Sequence, residues 1–346
     1  MDSQQEAVTR IGDIWALLYY HLARELTGKF GVPGDGALRR AIRKFGRERG
    51  LSLRARHIYE GRPISLKSLF EHYDLPSDPR SERITYELSE QERITKTTAC
   101  PYADLWLSYP DGGRLGRIYC EEIHHAIFSG YDGAVQTNLT DTITQGHEGC
   151  RFAVYLRPSN QRAHEHVVQP HVPLPHEDDP LARTTDMWIN LYYYVAREYL
   201  DTFGEPGEKA LRRAIRAFGE DRAHRMIRGH EAEGLPINIE TLFTRRDQPS
   251  DPREESVLHR LTHQEWILDV LRCSFYDAWK VRGGLDVGLI YCQEVHHAMW
   301  ETYDTRLQVN LPETLTAGDG LCEFRVYCKE AGESKGGQRP GNWSCG

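Results

Sequence analysis

Ten residues of this chain occur twice, as ALRRAIRKFG at residues 37–46 and as ALRRAIRAFG at residues 210–219, with one difference. The shift of 173 residues between them also places Trp15 on Trp188. A shift of 172 relates the later parts of the two copies. A repeat of this length corresponds to a whole structural unit, so the sequence predicts a tandem duplication of one module.

Each copy shows helical patterns first and strand patterns later. Apolar residues recur at helical spacing, and alternate as in strands, in separate segments of the first copy. The predicted helices cover 10–27, 35–59, 66–73 and 117–129, and the predicted strands lie near 84–88, at 134–144 and at 151–156. The predicted fold class is therefore α+β, with N-terminal helices and a C-terminal, mostly antiparallel sheet in each module.

The repeat also sets the predicted domain boundaries. Between the copies lies a segment rich in Pro and His without an apolar period, which is typical of a linker. We expect a first module at 1–156, the linker at 157–183, a second module at 184–328 and an irregular tail at 329–346.

Charge and hydropathy restrict the classes of partner and compartment. The chain has 43 Lys and Arg against 51 Asp and Glu, a net charge of −8. This balance argues against nucleic acid or an anionic membrane as the main partner, and it leaves the oligomeric state open. The N-terminus lacks the pattern of a secretory signal, and no apolar run approaches about 18 residues, so we expect a cytoplasmic protein.

The repeated cysteines and histidines are the residues most suited to chemistry. Each copy has three cysteines and one His-His pair at equivalent positions, and the second cysteine lies four residues before the pair. At about 100° per residue, Cys120 and His124 share the apolar face of their helix, while His125 lies on another face. An imidazole can take the proton of a nearby thiol, which then attacks an electrophilic carbon. The candidate catalytic residues are Cys120, His124, His125, Cys292, His296 and His297.

Other roles for these residues remain open at this point. A buried cysteine can be a small packing residue. Glu122 and His125, three residues apart, can pair on the surface. A sulfur-rich zinc site is the metal alternative. Its ligands would be Cys100, Cys120, Cys150 and His124 in one copy, and Cys273, Cys292, Cys322 and His296 in the other.

The order of motifs resembles the L-2-amino-thiazoline-4-carboxylic acid hydrolase family. These motifs are the Ala-Leu-x2-Ala-Ile-x2-Phe-Gly helix, a Cys-x2-Tyr/Phe segment, the Cys-bearing helix, Thr-x-Thr-x-Gly and Cys-x-Phe, over 10–156 and 184–328. The resemblance implies a hydrolase acting on C–N bonds of a cyclic amidine, which opens a 2-amino-thiazoline to an N-carbamoyl-cysteine. It places the protein in bacterial secondary or amino-acid metabolism, including natural-product biosynthesis. The expected partner is a small-molecule substrate, and no cofactor is expected, with zinc as the alternative.

This chemistry gives each candidate residue a role. The C2 carbon of the protonated ring is open to a thiolate or to activated water. Cys120 or Cys292 would be the nucleophile or a wall beside the water, and His124 or His296 the proton shuttle. The candidate substrate-binding residues are Asp104, Asn138, Thr142, Asp277, Asn310 and Thr314. Two other functions stay open: a non-hydrolytic biosynthetic enzyme for cyclisation or group transfer, and a non-catalytic metal- or ligand-binding module.

Overall fold

The computed structural model describes residues 3–157 and 179–329, and the two copies contain the same elements in the same order. The elements of the first copy are α1 (Ser3–Tyr59), α2 (Leu66–Glu71), β1 (Glu82–Leu88), β2 (Glu92–Ala99), α3 (Pro101–Leu107), α4 (Gly112–Tyr131), β3 (Val135–Leu139) and β4 (Cys150–Leu156). Those of the second copy are α5 (Pro180–Ala232), α6 (Ile239–Thr244), β5 (Glu255–Leu261), β6 (Glu265–Arg272), α7 (Ser274–Val281), α8 (Leu285–Tyr303), β7 (Leu307–Asn310) and β8 (Cys322–Cys328).

The long first helix of each copy has a kink where the sequence predicted a turn between two helices. In α1 the kink is at Gly31, with φ 56° and ψ −132°, and in α5 it is at Gly204, with φ 55° and ψ −135°. Such dihedrals are open to glycine and costly for other residues. Pro33 follows Gly31 closely, where its missing N–H belongs to the first turn of the new helical segment. The two predicted helices are therefore one kinked element.

Each copy forms its own four-stranded antiparallel sheet, which confirms the predicted α+β class. The strand orders are β1-β2-β4-β3 and β5-β6-β8-β7. The sequence analysis did not identify β2, because Thr and charged residues alternate along it where apolar residues were sought. The predicted strand at 134–144 ends at Leu139, and a 3-10 turn over Ile143–Gln145 follows, capped by Gly146 at φ 87°.

The repeated Phe-Gly motif lies where α1 and α4 approach most closely. A Cβ added at Gly46 would lie 2.7 Å from the Cβ of Ala126, a separation that real Cβ atoms do not show. In the second copy a Cβ at Gly219 would lie 3.0 Å from the Cβ of Ala298. The glycine therefore lets the helix that bears the candidate Cys and His pack against the helix that carries the repeat.

The chain divides into two compact units between Ala210 and Leu211, within α5. In the first unit, Tyr199 Oη donates to the carbonyl of Leu22 at 2.6 Å, and Glu198 accepts from Lys44 at 2.6 Å. The sequence boundary was placed at 157–183 instead, and 158–178 of that segment and 330–346 of the tail lie outside the described residues. The module bounds therefore stay a prediction.

Among the described helices, none has both the length and the apolar character needed to cross a membrane.

Candidate functional site

The second module encloses a cavity of about 410 Å³ between α8 and the sheet. Cys292 and His296 line it from α8, where they are one helical turn apart. Cys273, which directly precedes α7, and Cys322, the first residue of β8, also line it. The fold therefore brings all three repeated cysteines of this copy, and one histidine of the pair, to a single cavity.

Burial keeps the thiol and the imidazole of this cavity neutral. Burial raises the pKa of Cys292 to about 12, and nearby Cys322 adds to the shift. Burial lowers the pKa of His296 to about 3, with Arg222 and His297 adding to that shift. The Nδ1 atom of His296 is buried and has no hydrogen-bond partner in the part of the chain that the structure describes. The site is thus an uncharged thiol beside an imidazole with an open ring nitrogen.

The first module places its equivalent residues on the same elements. Cys120 and His124 lie on α4, Cys100 directly precedes α3, and Cys150 begins β4. The amide of Ile143 donates to Cys150 Sγ at 3.3 Å, the same distance as the equivalent bond in the second copy. Burial, with Cys100 and Cys150 nearby, raises the pKa of Cys120, and burial lowers the pKa of His124 to about 3. Both copies therefore maintain the same neutral pair.

Each copy has a buried arginine paired with a partly exposed aspartate, which no local sequence pattern indicated. Arg222 and Asp247 both line the cavity and are joined by two bonds of 2.8 and 2.7 Å. In the first module Arg49 and Asp74 form the same paired bonds, each 2.8 Å long. The 173-residue shift relates both residues across the copies, which is the signal that could have identified them.

Comparison with known families identifies the family of both copies. A model of the L-2-amino-thiazoline-4-carboxylic acid hydrolase family matches residues 13–154 and again residues 186–326. The chain belongs to this family. The two matches coincide with the two copies and so agree with the two-module arrangement. No curated protein and no solved structure matches the chain.

The second histidine of each pair, His125 or His297, points away from the cysteine of its helix. His125 is exposed, and His297 does not line the cavity but lies 3.5 Å from Glu301. The expected surface pair of His125 with Glu122 does not form, since Glu122 binds Arg39 at 2.8 Å. The helical period explains both results, because successive residues on α4 and α8 point about 100° apart. The structure therefore does not bring His297 to the cavity, and it leaves His125 on the exposed side of α4.

Four candidate substrate-binding residues lie on or just after β3 and β7, and they divide into two groups. Thr314 lines the cavity, and Thr142 is buried at the equivalent place in the first module. Asn138 is exposed, while Asn310 does not line the cavity and donates to Tyr327 Oη at 2.8 Å. Strand alternation is the reason, since the residue before each asparagine is the one that is buried. The asparagines are thus corrected to positions outside the site.

The two candidate aspartates also lie outside the site. Asp104 is exposed on α3. Asp277 is 48% exposed and lies 3.3 Å from Arg272. Both follow a cysteine by four residues, so they lie on the first turns of α3 and α7, where an acidic side chain is favourable near the helix N-terminus. Asp277 does not line the cavity of the second module, and Asp104 is exposed at the equivalent position of the first.

The zinc alternative has no assembled ligand set in this structure. Within 3–157 and 179–329, no group of three or more His, Cys, Asp or Glu side chains is placed to hold a metal ion. The six repeated cysteines are free thiols. Both four-residue ligand sets of the alternative fall inside the described ranges, so the alternative is not supported for either module.

Proposed function

We propose that this protein is a hydrolase that opens a small amino-acid-derived heterocycle of the thiazoline type at its C=N carbon. The observation that carries the proposal is the cavity of the second module, which Cys292 and His296 line together. Its volume of about 410 Å³ suits a small molecule. Membership of a family described as L-2-amino-thiazoline-4-carboxylic acid hydrolases supports the choice of ring.

A neutral site suits a substrate that arrives as a cation. Burial holds the pKa of the Cys292 thiol near 12, so almost no thiolate exists before binding. A protonated cyclic amidine brings a positive charge beside the sulfur, and a nearby positive charge lowers the pKa of a thiol. The nucleophile is therefore generated in the presence of the substrate, which protects it from other electrophiles.

The reaction proceeds in two halves, each using the histidine as the proton carrier. In the first half Cys292 Sγ bonds to C2 of the protonated ring, and His296 takes the thiol proton. The bond between C2 and the ring sulfur then breaks, and that sulfur takes the proton from His296. In the second half water adds to C2, its proton passes to His296, and the bond between C2 and Cys292 breaks. The cysteine recovers its proton from His296, and the remaining O–H proton on C2 leaves to solvent as the C=O bond forms. The product is a neutral carbamoyl group on cysteine, that is, an N-carbamoyl-cysteine.

The test is hydrolysis of L-2-amino-thiazoline-4-carboxylic acid by the full chain, followed through release of the product thiol. Replacing both Cys120→Ala and Cys292→Ala should reduce kcat by more than the roughly 10²–10⁴-fold typical of one acid–base group, because the nucleophile is lost. The matched control is His125→Gln with His297→Gln, which should keep the parent rate because these side chains lie outside the site. The single alanine variants assign the activity to one module or to both.

Two results would count against the proposal in different ways. A parent protein that leaves the ring intact would contradict the substrate. A double alanine variant that works at close to the parent rate would show that the cysteines are packing residues, and would transfer the mechanism to water activated by His124 or His296.

A further inference from the structure

The inner faces of the two sheets differ at the positions that line the cavity in the second module. That wall is formed by Trp266, Leu268 and Val270 from β6 and Ser256 from β5. The 173-residue shift places Arg93, Thr95, Thr97 and Arg83 at the same positions of β2 and β1. The inner face of β6 is therefore apolar, whereas that of β2 carries a buried arginine and two buried threonines, with Arg83 on the neighbouring exposed strand β1.

Arg93 occupies the place of a tryptophan on the same aromatic platform. Trp266 stacks on Phe243 with ring centroids 3.6 Å apart, and the guanidinium carbon of Arg93 lies 3.8 Å from the centroid of Phe70, the equivalent ring. Arg93 is only 6% exposed and has no carboxylate partner among the described residues. Burying a cation without a counter-charge costs free energy. An anion bound beside Arg93 would offset this cost.

A second buried group beside Arg93 also lacks a partner. Thr95 is 2% exposed, and its Oγ1 has no hydrogen-bond partner within the described ranges. Thr97 is also buried, and Arg83 Nε approaches its hydroxyl at 3.5 Å from the exposed edge strand. Arg93, Thr95 and Thr97 thus follow one another along the inner face of β2, and Arg83 approaches the last of them. Hydroxyl and guanidinium donors on one face match the needs of a carboxylate.

The other charges around this wall leave its positive charge unopposed. Arg49 is neutralised by Asp74, and His124 is neutral because its pKa is about 3. The pKa of Arg93 falls to about 9, through burial first and the charge of Arg83 second. The second module differs, since Arg246 and Glu254 bring one charge of each sign to its cavity.

We infer that the first module binds the carboxylate of a small ligand through Arg93, Arg83 and Thr95, a set of residues that the sheet of the second module lacks. This inference deepens the proposed function and rests on it only for the identity of the ligand. The two copies therefore differ in their carboxylate contacts: the inner face of β6 is apolar at these positions, and Arg246 is a cation that lines the cavity of the second module.

The test measures binding without turnover by calorimetry on the full chain. The probes are 2-aminothiazole-4-carboxylate, whose aromatic ring resists hydrolysis, and its 4-carboxamide. Wild type should bind the acid more tightly than the amide. Arg93→Trp should weaken binding of the acid by at least about tenfold and leave the amide unchanged, since a charged hydrogen-bond partner is lost. Tryptophan is the residue that the second module accommodates at this position, so the variant should fold.

Two further variants keep the result interpretable. Lys67→Gln removes a positive charge from the exposed side of α2 and should leave both affinities unchanged. Arg93→Lys keeps the charge and should restore part of the preference for the acid. Equal affinity of wild type for acid and amide, including no binding of either, would overturn the inference, as would an Arg93→Trp variant that binds the acid like wild type. Because no hydrolysis is measured, failure of the proposed ring opening would leave this result unaffected.

Discussion

Burial decides the protonation state of the residues that both copies place at the site. It raises the pKa of Cys292 to about 12 and lowers that of His296 to about 3, and it shifts the pKa values of Cys120 and His124 in the same directions. An ion pair of thiolate and imidazolium is therefore absent before a ligand enters. This feature distinguishes the site from one whose cysteine is activated in the free protein.

The neutral histidines should make stability depend on pH. The pKa of His124 and of His296 is about 3 in the folded chain, against an ordinary value near 6.5, so between these values the unfolded chain binds more protons. The free energy of unfolding should therefore fall as the pH falls below about 6.5, by at most about 1.4 kcal/mol per pH unit for each histidine. Urea unfolding at pH 7 and pH 5 measures this loss.

The matching variant is His124→Gln with His296→Gln, which should lose less stability between the two pH values than wild type. His125→Gln, at an exposed histidine, should keep the wild-type difference. Equal losses in wild type and in the double variant would show that these two histidines are not buried in the neutral form.

The helical period of about 100° per residue places His124 and His125 on different faces of α4, so the sequence alone separated them. The asparagines were assigned to the wrong face because a strand has a period of two, so an error of one residue reverses the side. Arg49 and Asp74 were missed because they are 25 residues apart and no local pattern connects them.

At the scale of elements, the close approach of α1 to α4 places the cysteine and the histidine against the core. Gly46→Ala would bring a methyl group within 2.7 Å of the Cβ of Ala126 and 3.1 Å of the Ile123 carbonyl. We expect a loss of about 1–3 kcal/mol in the free energy of unfolding, as for overpacking. Chemical denaturation measures this loss.

The control lies in the same helix. Gly28→Ala meets no atom within 4 Å and should raise stability by up to about 1 kcal/mol, because alanine favours the helix over glycine. If Gly46→Ala is as stable as Gly28→Ala, the helices are not held together at this point.

Long elements with a clear period were predictable, and short polar ones were not. Helices α1, α2 and most of α4 follow from apolar spacing, although the kink at Gly31 joins two predicted helices in one element. The short helix α3 was not predicted. Strand β2 carries Arg93, Thr95 and Thr97 on its inner face, so it lacks the apolar alternation that marks a half-buried strand. The polar residues that prevented the prediction of β2 also distinguish the first module from the second.

At the scale of the whole molecule, the duplication gives both copies the same cysteines beside sheets with different inner faces. The strand orders of the two sheets match, and the family matches cover both copies. The internal repeat predicted these two modules, because the repeat is visible in the sequence itself. The first part of α5 belongs to the first compact unit, which the sequence could not show because Leu22 and Tyr199 meet only in the folded chain.

Incubation of the full chain with L-2-amino-thiazoline-4-carboxylic acid in ¹⁸O-labelled water, followed by mass spectrometry, tests the proposed hydrolysis most directly. The account predicts N-carbamoyl-cysteine with one heavy oxygen on the carbamoyl carbon, because water supplies that oxygen when the cysteine is released. Unchanged substrate, or a product without the label, would contradict it.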